Sequence, residues 1–291
     1  MSLRRVGEGH ISSLSFRTGT IDAACGLKLD PIAGRAPAPH IRGRTPTLHG
    51  EEIEVVFPVG TELSECVIFP VSEAQKNGIE DARFVAFQDA GKTTYFATYT
   101  AYSGQAIRSE LLETTDFQGF RLSPLNGVAA QNKGMALFPK KILGKYAMIG
   151  RQDNENIHIL FSDDIYTWND GQILLHPNYP WEFVQMGNCG SPIDLGAYWL
   201  LLTHGVGAMR RYSIGASLLD KDDPSKVIAR SKTPLIQAQE PERDGYVPNV
   251  VYTCGAMVHD KWLVLPYGVA DTFIRFATID VAKLIGTLLA G

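Results

Sequence analysis

Ten polar residues recur at matching points of a repeated pattern, and their types suit chemistry on a sugar and an anion. Six stand where short apolar strands begin: Asp81 in IEDAR, Asn132 and Lys133 in QNKG, Gln185 and Asn188 in QMGN, and Asn249 in VPNV. Four more stand where the following strands end: Tyr102, Arg151 in IGRQ, His204 in THGV and Asp271 in GVADT. Carboxylates and amides offer the paired acceptors and donors that sugar hydroxyls need. Cationic side chains suit an anion such as phosphate. Each residue also has an ordinary reading: Asp81 as a turn cap, Asn249 as a turn residue after Pro248, His204 as a satisfied buried histidine. Arg151 could pair on the surface with Asp153 or Glu155. Their recurrence at one phase of the repeat is what favours a shared site.

The repeat itself dictates the elements that hold them. Segments 80–102, 132–151, 188–205 and 249–268 each read as a polar residue, a short apolar strand, a turn and an aromatic-rich strand. A third apolar segment follows each. With Tyr95, Tyr146, Tyr198 and Trp262 taken as equivalent, the intervals are 51, 52 and 64 residues. Short strands at a period of roughly 50 residues predict an all-β chain folded as a five-bladed β-propeller. The turns DAGK, LGK, HDK and DDPS agree. One domain is expected over 1–291, with a helix-like tail at about 281–291. The first blade is incomplete at the N-terminus: SLRRVGEG and HISSLSFRTGTID resemble a blade's second and third strands, with no inner strand before them. Segment 28–75 then reads as a connection with edge strands, EEIEVVFPVG being the clearest. In a propeller, inner strands line the channel and loops at one end form the usual ligand site, so residues far apart in sequence are expected to meet there.

Bulk properties narrow the class. With 45% hydrophobic and 20% charged residues, the 291-residue chain is ordinary for a globular protein. A formal charge of -4 argues against a general nucleic-acid binder. No apolar stretch reaches the 18 or so residues that would span a bilayer, and MSLRRVGEGH lacks the apolar core of a signal peptide. A cytoplasmic protein is therefore expected, with Cys25, Cys66, Cys189 and Cys254 as free thiols. Seven histidines show no HExxH spacing, so no metal site is expected.

The segments GIEDARF, ALFPKKILGKYAMIGR, LLLTHGV, YSIGASLLDKDDPSKVIARS, YVPNVVYTCGAMV and YGVADT resemble glycoside hydrolase family 130, the mannoside phosphorylases and their hydrolytic relatives. The resemblance spans roughly 78–280. VGEGHISSLSFRTG looks like a subgroup of that family with an additional N-terminal region, missing here. The resemblance implies inverting cleavage of a β-mannoside by inorganic phosphate, with release of α-mannose 1-phosphate and no other cofactor. It implies that Asp81 is the general acid, acting through a hydroxyl of the mannose ring. Lys133, Arg151 and His204 match the phosphate-binding cations. Asp271 matches a mannose-binding aspartate, and Arg4 an arginine of the first blade. Asn132, Tyr102, Gln185, Asn188 and Asn249 complete the expected sugar site. Gln185 departs from the pattern, standing where relatives carry a phosphate-site lysine, with Arg210 or Arg211 as candidates to compensate.

Phosphorolysis needs one acid and an anion pocket but no general base, because phosphate is already a nucleophile. Inverting hydrolysis needs a second carboxylate, about 6.5–9.5 Å from the acid. Glu182 and Glu242 lie near the right end to be that base, whereas Glu80 should face away from Asp81 by strand alternation. A hydrolase and a non-catalytic carbohydrate-binding propeller are the alternatives. A homo-oligomer could shape the acceptor side.

Overall fold

The structure, a computed structural model, describes residues 1–240 and 245–291. It is all-β apart from short 3-10 turns and one α-helix, Val281–Ala290, which Asp280 caps by accepting from the Lys283 amide. Four antiparallel repeats follow the sequence pattern. The first runs through Gly78–Asp89, Lys92–Tyr102, Ile107–Thr114 and Gly119–Pro124. The second has Ala136–Leu137, Tyr146–Gly150, Ile157–Ser162 and Gln172–Leu175. In the third, Gln185–Asn188 pairs with Tyr198–Val206, which pairs with Tyr212–Asp220 and then Val227–Arg230. The fourth has Val251–Tyr252, Trp262–Val269 and Phe273–Asp280.

Before them, Ser2–Val6 and Ser12–Phe16 form a hairpin flanked by Val67–Ile68. Its Ser2–Val6 edge pairs on one side only among the described residues. Segment 28–75 supplies the edge strands expected of it. Gly50–Val56 pairs with Gly119–Pro124, and His40–Thr47 lies outside it. No helix of the described residues is long and apolar enough to cross a membrane. All four cysteines are free.

The strands read as apolar runs because both faces of each sheet are covered. Successive side chains point to opposite faces, and the third repeat shows the result. Trp199 and Leu201 pack with Phe138, Ile149 and Met186 of one layer. Leu200 and Leu202 pack with Ile214, Val251 and Leu265 of the next. Full burial of each such leucine contributes roughly 2 kcal/mol. Similar apolar layers join the N-terminal hairpin to the first repeat and the first repeat to the second. The two chain ends also meet, since Arg4 Nη2 lies 3.1 Å from Asp271 Oδ2 and His259 contacts the Asp22 carbonyl at 3.2 Å.

Candidate active site

Sheets stacked in this order bring equivalent strand ends together, and a cavity of about 170 Å³ opens there. Eight of the residues expected from sequence line it: Arg4, Asp81, Lys133, Arg151, Gln185, Asn188, His204 and Asp271. The backbone is unusual at this end. Asp81, Asn132, Asn249 and Asp271 all have left-handed φ, at 53°, 60°, 63° and 50°. Asp and Asn tolerate this region better than other non-glycine residues, which explains why the repeat places them at strand ends.

Asp81 sits in a β-bulge, the register slipping between Glu80 and Arg83. The bulge breaks strict alternation, so Glu80 does not turn away as strand geometry alone suggested. Arg4 Nη1 lies 3.6 Å from Asp81 Oδ1 and 4.0 Å from Glu80 Oε1, while Arg4 Nη2 bonds Asp271. Burial pulls the Arg4 pKa down, but Asp81, Asp271 and Glu80 together outweigh it and the net shift is upward. One guanidinium thus ties three carboxylates at the seam between chain start and chain end. Lys133 pairs with Glu80 at 3.7 Å.

The cavity also holds buried cationic side chains. Arg151, 6% exposed, is not the surface partner of Asp153 or Glu155; its Nη1 lies 3.4 Å from His204 Nε2. His204 pairs across the strands with Gly187, where an added Cβ would come within 2.5 Å of the imidazole and 3.2 Å of Arg151 Cδ. The missing side chain is what lets both groups approach. Tyr212 stacks on the imidazole at 5.9 Å and Tyr252 meets it edge-on at 5.0 Å.

Burial lowers the His204 pKa well below its ordinary value, and Arg151 and Arg83 push the same way. His204 is therefore neutral at pH 7 and offers hydrogen bonds, where the sequence comparison had it as a cation. The unfolded chain takes up a proton below about pH 6.5, which the folded imidazole resists, so stability falls as pH falls through that range. Acidification from about pH 7 to about pH 5 should lower the melting temperature, and His204→Gln should flatten part of that slope. An equal slope in both proteins would assign it to other groups.

Arg83, Tyr212 and Tyr252 were not singled out from sequence. Arg83 is 2% exposed and donates through Nη2 to the Tyr252 hydroxyl at 2.5 Å. It stands two residues past Asp81 in the strand Gly78–Asp89. Arg83 Nε, Arg151 Nε and Asn188 Oδ1 are buried without a hydrogen-bond partner. Neither Arg83 nor Arg151 has a carboxylate ion pair among the described residues. Burying charge without a close carboxylate is costly, and Asp81 is the carboxylate whose charge acts on both arginines. Burial also raises the Cys254 thiol to about 12 and Cys189 further, which leaves both neutral and poor nucleophiles.

Three expected sugar contacts do not line the cavity. Asn132 donates through Nδ2 to the Gln152 carbonyl at 2.5 Å. The Tyr102 hydroxyl donates to the Gly104 carbonyl at 3.2 Å. The Asn249 carbonyl accepts from the Tyr212 amide at 3.0 Å. All three brace the loops that carry the cavity.

A sequence model of glycoside hydrolase family 130, described as beta-1,4-mannooligosaccharide phosphorylase, matches residues 60–289. The chain belongs to glycoside hydrolase family 130. It is 35% identical over 226 residues to a 1,2-beta-oligomannan phosphorylase of Thermoanaerobacter sp. (strain X514), covering 76% of this chain and 75% of that one. It is 34% identical over 230 residues to a beta-1,2-mannobiose phosphorylase of Listeria innocua, covering 76% of this chain and 63% of the relative. The solved beta-1,2-mannobiose phosphorylase from Listeria innocua, in complex with beta-1,2-mannobiose, superposes with a TM-score of 0.72 at 25% identity. That superposition covers 100% of this chain and 91% of the other. In this family 130 chain, Gln185 stands in the cavity wall, as does Arg210, one of the two candidates to replace the lysine charge; Arg211 does not line it.

Proposed function

We propose that this chain is an inverting mannoside phosphorylase. Inorganic phosphate, held by Lys133, Arg151 and the neutral His204, attacks the anomeric carbon of a β-mannoside. The bond from that carbon to the leaving oxygen breaks, and Asp81 supplies the oxygen's proton through a hydroxyl of the mannose ring. The proton that hydrogen phosphate loses on attack restores the balance. The products are α-mannose 1-phosphate and the shortened saccharide. Arg4, Asp271 and Asn188 are placed to hold the mannose hydroxyls. Phosphate is a co-substrate, and the reaction needs no organic cofactor.

The observation that carries this reading is the buried pair Arg83 and Arg151, which make no carboxylate ion pair among the described residues and line the same cavity as Asp81. A hydrolase would need a free carboxylate there, and Glu182 is not one. It is fully buried, and its Oε1 accepts from the Asn178 and Tyr179 amides and from Arg230 Nη2 at 2.5 Å. Glu182→Ala should cost about 3 kcal/mol of stability in urea unfolding by leaving Arg230 unpaired. Turnover by the folded variant should keep its phosphate requirement, whereas its loss would return Glu182 to the chemistry. Glu242 lies outside the described residues.

What supports a closed five-bladed ring, with residues 1–291 as one domain, is the N-terminal hairpin followed by four repeats and the Arg4–Asp271 contact between the first unit and the last. The deciding experiment incubates the protein with β-1,2- and β-1,4-mannobiose, with and without inorganic phosphate, and assays α-mannose 1-phosphate. Phosphate-dependent product establishes the reading. Free mannose formed equally in both reactions overturns it in favour of hydrolysis.

A further inference from the structure

The turns that join second to third strands reach the mouth of the cavity, and two of them are the same loop built twice. In the N-terminal hairpin, Gly7 has φ -96° and ψ -170°, and a 3-10 turn follows over Glu8–His10. In the third repeat, Gly207 has φ -96° and ψ -166°, and a 3-10 turn follows over Ala208–Arg210. The Gly7 amide bonds the Ile11 carbonyl at 3.0 Å, and the Gly207 amide bonds the Arg211 carbonyl at 2.9 Å. The last two residues of each turn have left-handed φ: Gly9 and His10 at 71° and 58°, Met209 and Arg210 at 58° and 54°. His10 is thus the counterpart of Arg210, which lines the cavity.

His10 meets a residue from the far end of the chain. Its ring stacks on Tyr246 with centroids 6.2 Å apart and planes 17° apart, and the Tyr246 hydroxyl lies 3.1 Å from His10 Nδ1. Tyr246 is fixed beside the reaction site. Its amide bonds Thr272 Oγ1 at 3.3 Å, and the next amide, of Val247, bonds the Ala270 carbonyl at 3.0 Å. Between those two anchors stands Asp271, the partner of Arg4. Val247 lines the cavity, yet Tyr246 is 68% exposed. A tyrosine ring held rigidly in the open, beside a cavity rich in hydrogen-bonding groups, fits a ligand with an apolar face and polar edges. A pyranose ring is such a ligand.

The direction of the chemistry assigns which ring. In an inverting displacement the leaving group departs opposite the nucleophile. The anion-binding groups are Arg151 and His204, whereas the segment that carries Tyr246 is bonded to Ala270 and Thr272, on either side of Asp271, the partner of Arg4. We propose that His10 and Tyr246 form the acceptor subsite, a platform on which the leaving sugar unit of a neutral β-mannoside stacks. This rests on the phosphorolysis reading for its direction, and on the geometry of the two rings for its existence.

The test measures Tyr246→Ala, Tyr246→Phe and His10→Ala against the parent protein, with melting temperatures to confirm folding. In the synthetic direction, from mannose 1-phosphate and a mannose or mannobiose acceptor, Tyr246→Ala should raise the acceptor KM about tenfold, as loss of one ring contact implies. The mannose 1-phosphate KM should stay as it was. Tyr246→Phe keeps the ring and should change the acceptor KM by no more than about threefold. His10→Ala should raise it, because Tyr246 loses its support. An unchanged acceptor KM in Tyr246→Ala, or acceptor and donor KM rising together, overturns the proposal. Should the parent protein catalyse no mannosyl transfer, saturation-transfer NMR with β-1,2-mannobiose tests the subsite without turnover. Saturation of the reducing-end ring that disappears in Tyr246→Ala supports it. Equal saturation in both proteins, or no binding to the parent, overturns it.

Discussion

Asp81→Asn should lower kcat for phosphorolysis of β-mannobiose by about a thousandfold, within the range that a positioned general acid contributes. The change is nearly isosteric, and asparagine accepts the left-handed backbone that Asp81 adopts at its bulge. The melting temperature should therefore move little, which separates loss of chemistry from loss of fold. Alanine is a poorer probe, because at φ 53° it adds backbone strain of about 1 kcal/mol or more. An aryl β-mannoside with a good leaving group sharpens the test. Its departing oxygen needs little protonation, so Asp81→Asn should impair it far less than the disaccharide. Equal losses on both substrates would show that the carboxylate serves to hold Arg4 and Asp271 in place and does not deliver a proton.

Arg151→Gln carries the second large effect. Removing one cation that holds the attacking phosphate is expected to reduce phosphate-dependent turnover by about a hundredfold or more. Arg151→Lys should recover only part of this, since a single ammonium cannot reproduce the planar fork. The same arginine should be a burden on the empty fold. Burial and the like charge of Arg83 lower the Arg151 pKa, and no carboxylate pairs with it among the described residues. Arg151→Gln should accordingly melt no lower than the parent without phosphate, and the parent alone should gain when phosphate is added. At a phosphate concentration about a hundred times its Kd, that gain is about 2.7 kcal/mol. A parent protein that gains nothing from phosphate would remove the anion pocket from the mechanism.

Much of this site was legible before any coordinates because it is repetitive. Asp81, Arg151, His204 and Asp271 share a phase of the repeat, and equal phase in stacked sheets means equal height at one end. Arg83 was not legible, since a bulge decides which way a residue just past it faces, and nothing in IEDARF announces a bulge. Asn132, Tyr102 and Asn249 have the right types and the right phase, yet the Asn132 and Tyr102 side chains bond nearby backbone carbonyls, and Asn249 does not line the cavity. A one-dimensional pattern gives the height of a residue in the stack and leaves its rotation open.

By itself the amino-acid sequence determined the all-β class, the repeat, the helix-like C-terminal tail and the coincidence of a carboxylate set with a cationic set. Those follow from strand and helix periodicity and turn chemistry, which act between near neighbours. Only the tertiary structure decided that Arg4 bridges Glu80, Asp81 and Asp271, that His204 is neutral, and that two arginines lie buried without a carboxylate ion pair among the described residues. Charge state and ion pairing depend on which groups from distant segments share a low-dielectric space. That space exists only once the sheets have stacked.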